Sequence, residues 1–302
     1  MLQELSDQFI ILKEYLTPKD SEDANNLAML CYTYDHTNLK LELDYKLSIT
    51  KESKTGLKEV NEYLYYVGGV LVSYLGISSF GGNVYELNGM THPEFRRKGL
   101  FKKLLSLALQ ELKNNGQKEL LLLSDEKSDS GKQLIHWAGG VYKTSEYRMK
   151  QNINSLPAYN SLQDTSEITL ITADVSDLAE ICRQNAVYFH TTEESEALII
   201  DESMLNDGMH MIKKNGETIG KINVEYGKDS SFIFGFGIIP EYRGNGYGKA
   251  AFGELLKIIK DKNISDVQLD VATQNKNALN LYKSFGFEET SVMDYYEYRI
   301  TE

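Results

Sequence analysis

The sequence has few of the residues that mark specialised chains. Two cysteines in 302 residues, Cys31 and Cys182, form no CxxC pair, which leaves neither a disulfide framework nor a thiolate zinc site. Four prolines and no low-complexity tract exclude a linker-like or disordered chain. No stretch approaches the roughly 18–20 uninterrupted apolar residues of a membrane span. The N-terminal MLQELSDQFIILKEYL carries acids where a secretory signal needs positive charge, so a cytoplasmic protein without a membrane partner is expected. Positive charge is also short: 32 Lys+Arg against 44 Asp+Glu give a net charge of −12. Proteins that coat nucleic acid release counterions with clustered Lys/Arg, so no nucleic-acid partner is expected. The same charge favours encounter with a cationic small molecule. HExxH and GxSxG are absent, and the histidines are scattered, so neither a metal nor a serine nucleophile is expected.

What is present is a repeat. PEFRRKGLFKKLL from Pro93 matches PEYRGNGYGKAAF from Pro240, an offset of 240 − 93 = 147. The same offset relates Arg96 to Arg243, Gly99 to Gly246, Leu122 to Leu269 and Gly139 to Gly286. A unit this long is a whole domain, since solenoid repeats run to about 20–50 residues. The expected division is an N-terminal domain 1–150, a polar linker 151–166 containing Pro157, and a C-terminal domain 167–302.

Periodicity makes both copies mixed α/β. In the second, strands are expected over 167–171, 209–213, 218–226 and 231–239, with a hairpin at Asn215-Gly216. A helix carries Ala251, Phe252, Leu255, Leu256 and Ile259; a buried strand spans 267–271, a helix stops at Gly286, and a last strand covers 295–300. The first copy repeats the plan with a strand at 9–12, a hairpin at Gly68-Gly69, strands at 84–90 and 120–123, and a helix at 99–112.

The strand FIFGFGII runs into Arg243-Gly244-Asn245-Gly246-Tyr247-Gly248 and then directly into a helix. Free N–H groups and the positive helix end there suit an anion such as pyrophosphate, without any need for lysines. The glycines are equally explained by a tight turn. A Walker A loop is excluded by Arg243 and Ala250, and a dinucleotide fingerprint by Lys249.

These residues resemble the GCN5-related N-acetyltransferases. Arg243 to Gly248 looks like the family's R/Q-x-x-G-x-G/A signature, and Leu269-Asp270-Val271 with Asn275, Ala278, Leu281, Tyr282, Gly286 and Phe287 looks like its second one. The resemblance implies two tandem acyl-CoA N-acyltransferase domains, each a mixed, mostly antiparallel sheet flanked by helices. It implies an acetyl-CoA-dependent N-acetyltransferase whose acceptor, a small-molecule amine or a peptide N-terminus, attacks the thioester directly. Acetyl-CoA is then expected along the backbone of Phe236, Gly237 and Ile238 and on Arg243, Gly244, Asn245, Gly246, Tyr247 and Gly248, with Asn275 on the pantetheine arm or capping the next helix. Tyr282 is the expected acid for the leaving thiolate, or a core aromatic. Asp270 is the candidate base, or a solvated strand residue. In the first copy Ile135 stands at the Tyr282 position, Leu123 at Asp270 and Phe101 at Gly248. That copy is expected to be catalytically degenerate, with Arg96, Arg97, Lys98 and Gly99 still able to hold CoA. The alternative is a non-catalytic acyl-CoA-binding or sensing protein.

Overall fold

Two turns that require left-handed backbone set the hairpins. Gly68 and Gly69 have φ of 55° and 78°, and Asn215 and Gly216 have 49° and 88°, the geometry of two-residue turns whose twist matches that of paired strands. In the computed structural model, which describes residues 7–48, 59–79, 84–155, 167–198, 200, 202 and 205–300, these turns join β2 (Glu62–Val67) to β3 (Val70–Ser78) and β8 (Met209–Lys214) to β9 (Glu217–Tyr226). Residues 156–166 of the expected linker lie outside the described residues.

The chain forms two compact units, Met1–Ser145 with Ser291–Glu302, and Glu146–Thr290. In the first unit the strand order is β1 (Gln8–Lys13), β2, β3, β4 (Glu86–Thr91), β5 (Glu119–Asp125) and β12 (Glu288–Arg299). In the second it is β6 (Val141–Asn152), β11 (Asp266–Ala272), β10 (Ser230–Ile238), β9, β8 and β7 (Ile168–Thr172). Pairing is antiparallel except for β4 with β5 and β10 with β11. Mixed sheets with helices follow the expected class.

The units differ from the sequence halves 1–150 and 167–302. The last strand of the first repeat pairs with β11, Arg148 opposite Asp270, while the last strand of the second pairs with β5, Tyr295 opposite Leu123. Both pairs obey the 147-residue offset, so the exchange is symmetric in register. Gln151 and Asn152, placed in the linker by composition, therefore continue a strand. The polar, lysine-rich sequence of 141–152 conceals it.

Helices cover the apolar faces. In the second unit α7 (Tyr247–Asp261) and α8 (Lys276–Ser284) bury Phe252, Leu255, Leu256, Ile259 and Phe285 against Ile222, Val224, Ile233 and Leu269. On the opposite face α5 (Leu178–Phe189) packs on β9, with Ile181 beside Met211. The first unit has α1 (Pro18–Asp35), opened by a Thr17/Asp20 capping box, then α2 (Leu43–Ser48), α3 (Leu100–Asn114) and α4 (Asp129–Ala138). Leu104, Leu105 and Ala108 of α3 are buried against Leu75, Leu87 and Leu122.

Candidate active site

In the second unit the site begins where two parallel strands part. β10 and β11 pair from Ser230/Asp266 to Ile233/Leu269 and no further, so Phe234 to Ile238 present an unpaired edge to the gap. Gly235, with φ of 57°, sits in a bulge that shifts the register against β9 between Phe234 and Gly237. Phe236, Gly237 and Ile238 thus lie on a strand edge that β11 leaves unpaired.

The turn follows at once. Gly244 and Gly246 have φ of 80° and 82°, and a Cβ on either would meet nothing within 4 Å. Gly246 caps α7 without a side-chain hydrogen bond, leaving first-turn N–H groups available to an anion. Asn245 Nδ2 donates to the carbonyls of Tyr242 and Arg243, at 3.3 and 3.1 Å. Arg243 Nε donates to Ile238 O at 2.7 Å, so this side chain ties the turn to the strand end. Tyr247 carries the Lys214 ammonium 4.6 Å over its ring. Gly248 has ordinary contacts, its Cβ position lying 3.6 Å from Phe236 and Ile238. Asn275 takes the capping role: its Oδ1 accepts from Ala278 N at 3.2 Å. The fit to a pyrophosphate and an extended arm rests on open space at two left-handed glycines, uncapped amides and an unpaired strand edge.

Tyr282 on α8 is 7% exposed and tilts against Phe252, which stacks on Phe236 of β10. Burial pushes its hydroxyl up to about 12. Asp270 lies on the other face, and its two oxygens accept from Arg148 Nε and Nη2, both at 2.8 Å. Arg148 also lies 5.2 Å over the Phe232 ring. A planar guanidinium fork on a carboxylate fixes the orientation of both groups. Both Asp270 oxygens are thus engaged by Arg148. Arg148 escaped sequence reasoning, because only the strand exchange brings it to Asp270.

On the α5 face, β9 alternation sets Lys221 and Asn223 opposite Ile222 and Val224. Tyr188 of α5 presses its ring on Gly237, where any Cβ would collide with it. Its hydroxyl donates to Gln184 at 3.1 Å. A lysine between Ile219 and Ile222 in a buried stretch of β9 is the sequence signal for Lys221.

The first unit repeats this construction. β4 and β5 pair at Glu86/Leu121 and Leu87/Leu122 before parting. Arg96 Nε donates to Thr91 O at 2.9 Å, and its Nη1 and Nη2 bind Asp35 at 3.0 and 2.5 Å. Gly99, at φ 82°, caps α3 without a side-chain bond. Phe101 does not close the groove. Its ring lies 2.7 Å from the Cβ position of Gly89, so a glycine on the strand and a phenylalanine on the helix exchange the sizes of Phe236 and Gly248. A cavity of about 580 Å³ remains beside the turn, lined by Gly89, Arg97, Gly99, Lys102, Ser128 and Trp137. Lys102 Nζ stands 3.4 Å from the centre of the Trp137 ring, and Lys98 Nζ lies 4.8 Å over that of Phe95.

Arg97 holds φ of 63° where the second repeat has Gly244. An L-residue there costs about 1–2 kcal/mol, so Arg97→Gly is expected to stabilise the first unit by about 1 kcal/mol. In thermal unfolding this reads as a rise of about 2–4 °C, and a lowered melting temperature would refute it.

A splayed mixed sheet with a glycine turn at its open end, present twice, defines a tandem acyl-CoA N-acyltransferase fold. The model of the Acetyltransferase (GNAT) family matches residues 22–136 and 174–287, and the chain belongs to that family. It is 36% identical over 69 residues to an uncharacterized N-acetyltransferase, YycN, of Bacillus subtilis, covering 23% of this chain and 44% of that protein. It is 30% identical over 86 residues to a putative [ribosomal protein bS18]-alanine N-acetyltransferase of the same bacterium, covering 28% of this chain and 57% of that one. The chain thus spans about half the length of these relatives. Among solved structures, a GCN5-related N-acetyltransferase from Sphaerobacter thermophilus superposes with a TM-score of 0.76 at 16% identity, covering 97% of this chain and 96% of that chain. A tandem GNAT protein from the clavulanic acid biosynthesis pathway gives 0.67 at 13%, covering 98% and 99%. Both share the two-domain fold. No helix among the described residues is long and apolar enough to cross a membrane.

Proposed function

We propose that the protein is an acetyl-CoA-dependent N-acetyltransferase whose chemistry resides in the second unit. The observation that carries this reading is the junction of a free β10 edge, an uncapped α7 N-terminus at Gly246, and Tyr282 linked to that strand through Phe252. Acetyl-CoA, when bound, supplies an activated acyl carbon at the parting of β10 and β11. The edge of Phe236 to Ile238 pairs with the pantetheine arm, and the amides after Gly246 hold the pyrophosphate. An acceptor amine from the α5 face attacks the acyl carbon; the C–N bond forms as the C–S bond breaks. The departing sulfur takes the Tyr282 proton, and the amine's proton leaves through water. Arg148 and Asp270 keep the acceptor face charged and ordered. Acid–base assistance of this type contributes about 10²–10⁴-fold.

The first unit is read as a non-catalytic acyl-CoA site. It keeps the groove and the turn of Arg96, Arg97, Lys98 and Gly99 but has Ile135 in place of the acid. The acceptor in the names of the relatives is an alanine of ribosomal protein bS18, which supports an amine on a protein as one class of acceptor.

Thiol release from acetyl-CoA over a panel of primary amines tests the proposal. Turnover that is lost in Gly246→Val and kept in Gly99→Val is expected. Tight CoA binding with no turnover on any amine supports the sensing alternative instead.

A further inference from the structure

The α5 face of the second unit contains an ammonium that its surroundings leave largely uncompensated. Lys221 is 2% exposed, and its Nζ donates to the carbonyl of Gly235 at 3.2 Å. No carboxylate among the described residues pairs with it. Glu196 of α6 (Glu193–Ala197) acts on it from a distance, with its own oxygens accepting from Thr191 at 2.6 Å and Asn185 at 3.0 Å. Asn223, on the same strand face, is 6% exposed and its Oδ1 has no hydrogen-bond partner. Both side chains converge on the β10 bulge: a Cβ on Gly235 would lie 2.8 Å from Asn223 Nδ2 and 3.3 Å from Lys221 Nζ. An ammonium has three donors, and burying it against one neutral acceptor is costly. The cost shows in its titration, which burial pulls down to about 8.

The first repeat shows which chemistry satisfies this place. Tyr74, Gly76 and Asn88 occupy the positions of Lys221, Asn223 and Gly235, and Glu62 occupies that of Met209. There the buried Glu62 carboxylate accepts from Lys46 Nζ at 2.7 Å and from Tyr74 OH at 2.5 Å. That repeat encloses its own carboxylate against a buried ammonium. The second repeat has Glu193 at the position of Lys46, an ammonium in place of the Tyr74 hydroxyl, and a methionine where the acid stood.

We propose that Lys221 and Asn223 are the acceptor-recognition pair of the second unit, Lys221 binding a carboxylate of the acceptor and Asn223 Oδ1 accepting from one of its N–H groups. The substrates are then amines that carry a carboxylate, amino acids or peptides with a nearby acid, and not polyamines. The proposal rests on the acetyltransfer reading. It also separates two effects of charge: the net −12 favours cations at long range, whereas the Lys221/Asn223 pair reads an anion at contact.

The test is thiol release from acetyl-CoA with each L-amino acid set beside its carboxamide and its decarboxylated amine. The acid is expected to exceed both by about tenfold or more in kcat/KM, and Lys221→Met to reduce that ratio to about one. Equal rates for acid and amide in the wild type, or a ratio unchanged in Lys221→Met, overturn the proposal while leaving acetyltransfer standing. Asn223→Asp, which places a carboxylate beside Lys221 from within, is a second variant and is expected to suppress the acid-bearing acceptors. If no amine releases thiol, the acetyltransfer reading fails, and the carboxylate site is judged by binding alone. The Lys221 ammonium, followed by nitrogen NMR, is then expected to titrate higher in millimolar amino acid. A midpoint that no amino acid moves, as a bridging water would leave it, overturns the proposal.

Discussion

Tyr282→Phe is expected to lower kcat by about 10²-fold or more, with KM for acetyl-CoA and the melting temperature near wild type. The substitution removes one oxygen from a ring whose packing is apolar, at 5.2 Å from Phe252 and 6.2 Å from Phe287 between ring centres. Among the described residues nothing hydrogen-bonds the hydroxyl, so its loss leaves no buried group without a partner. A thiolate acid has to hold its proton at working pH. Burial holds Tyr282 up to about 12, so the group stays protonated across the usable range, and no alkaline fall in rate below about pH 11 should come from it. A kcat unchanged in Tyr282→Phe would remove the residue from the mechanism and leave it as core.

Arg148→Tyr is expected to destabilise the second unit by about 2 kcal/mol, and the double change Arg148→Tyr with Asp270→Leu to recover most of that loss. The single change leaves a carboxylate 15% exposed after taking away both of its 2.8 Å donors. Complete burial would make such a loss about 3–5 kcal/mol, and partial exposure reduces it. The double change reproduces the Tyr295/Leu123 pair that the first unit uses at the same register. A buried ion pair replaced by apolar partners is often neutral or better. Chemical denaturation of the three variants gives the comparison; a double variant no more stable than the single one would show that the two sites differ in shape as well as in charge. Recovery of stability without recovery of turnover would place the pair on the acceptor face as an ordering element.

Much of the fold was legible because each repeat states it locally. The apolar spacing of Ala251, Phe252, Leu255 and Ile259 gave α7, the Asn215-Gly216 pair gave its hairpin, and the two Arg/Gly segments gave the turns that open α3 and α7. What stayed hidden depends on contacts distant in sequence. Residues 141–152 lack a buried alternation, with Lys143, Glu146, Arg148 and Lys150 interrupting it, so the strand reads as polar chain until β11 is placed beside it. The Arg148 partner of Asp270 is therefore absent from the sequence reading, which left that residue as a candidate base or a solvated strand residue. Phe101 looked like an obstacle for a similar reason: compensation by Gly89, twelve residues earlier, is visible only when strand and helix are packed. Lys221 went unread for the same reason, since its lack of a carboxylate partner shows only when the strands and α6 are in place.

The exchange of last strands also constrains the order in which the chain can become folded during synthesis. β5 acquires its outer neighbour only from residues 293–299, so the first unit keeps an open sheet edge until those residues have been translated. The second unit, by contrast, has its borrowed strand available before any of its own residues are made. The C-terminal repeat can thus close its sheet first and the N-terminal one last, the reverse of the usual domain-by-domain progression. The exposed edge of β5 during that interval is the place where a nascent chain of this design would be most open to mispairing.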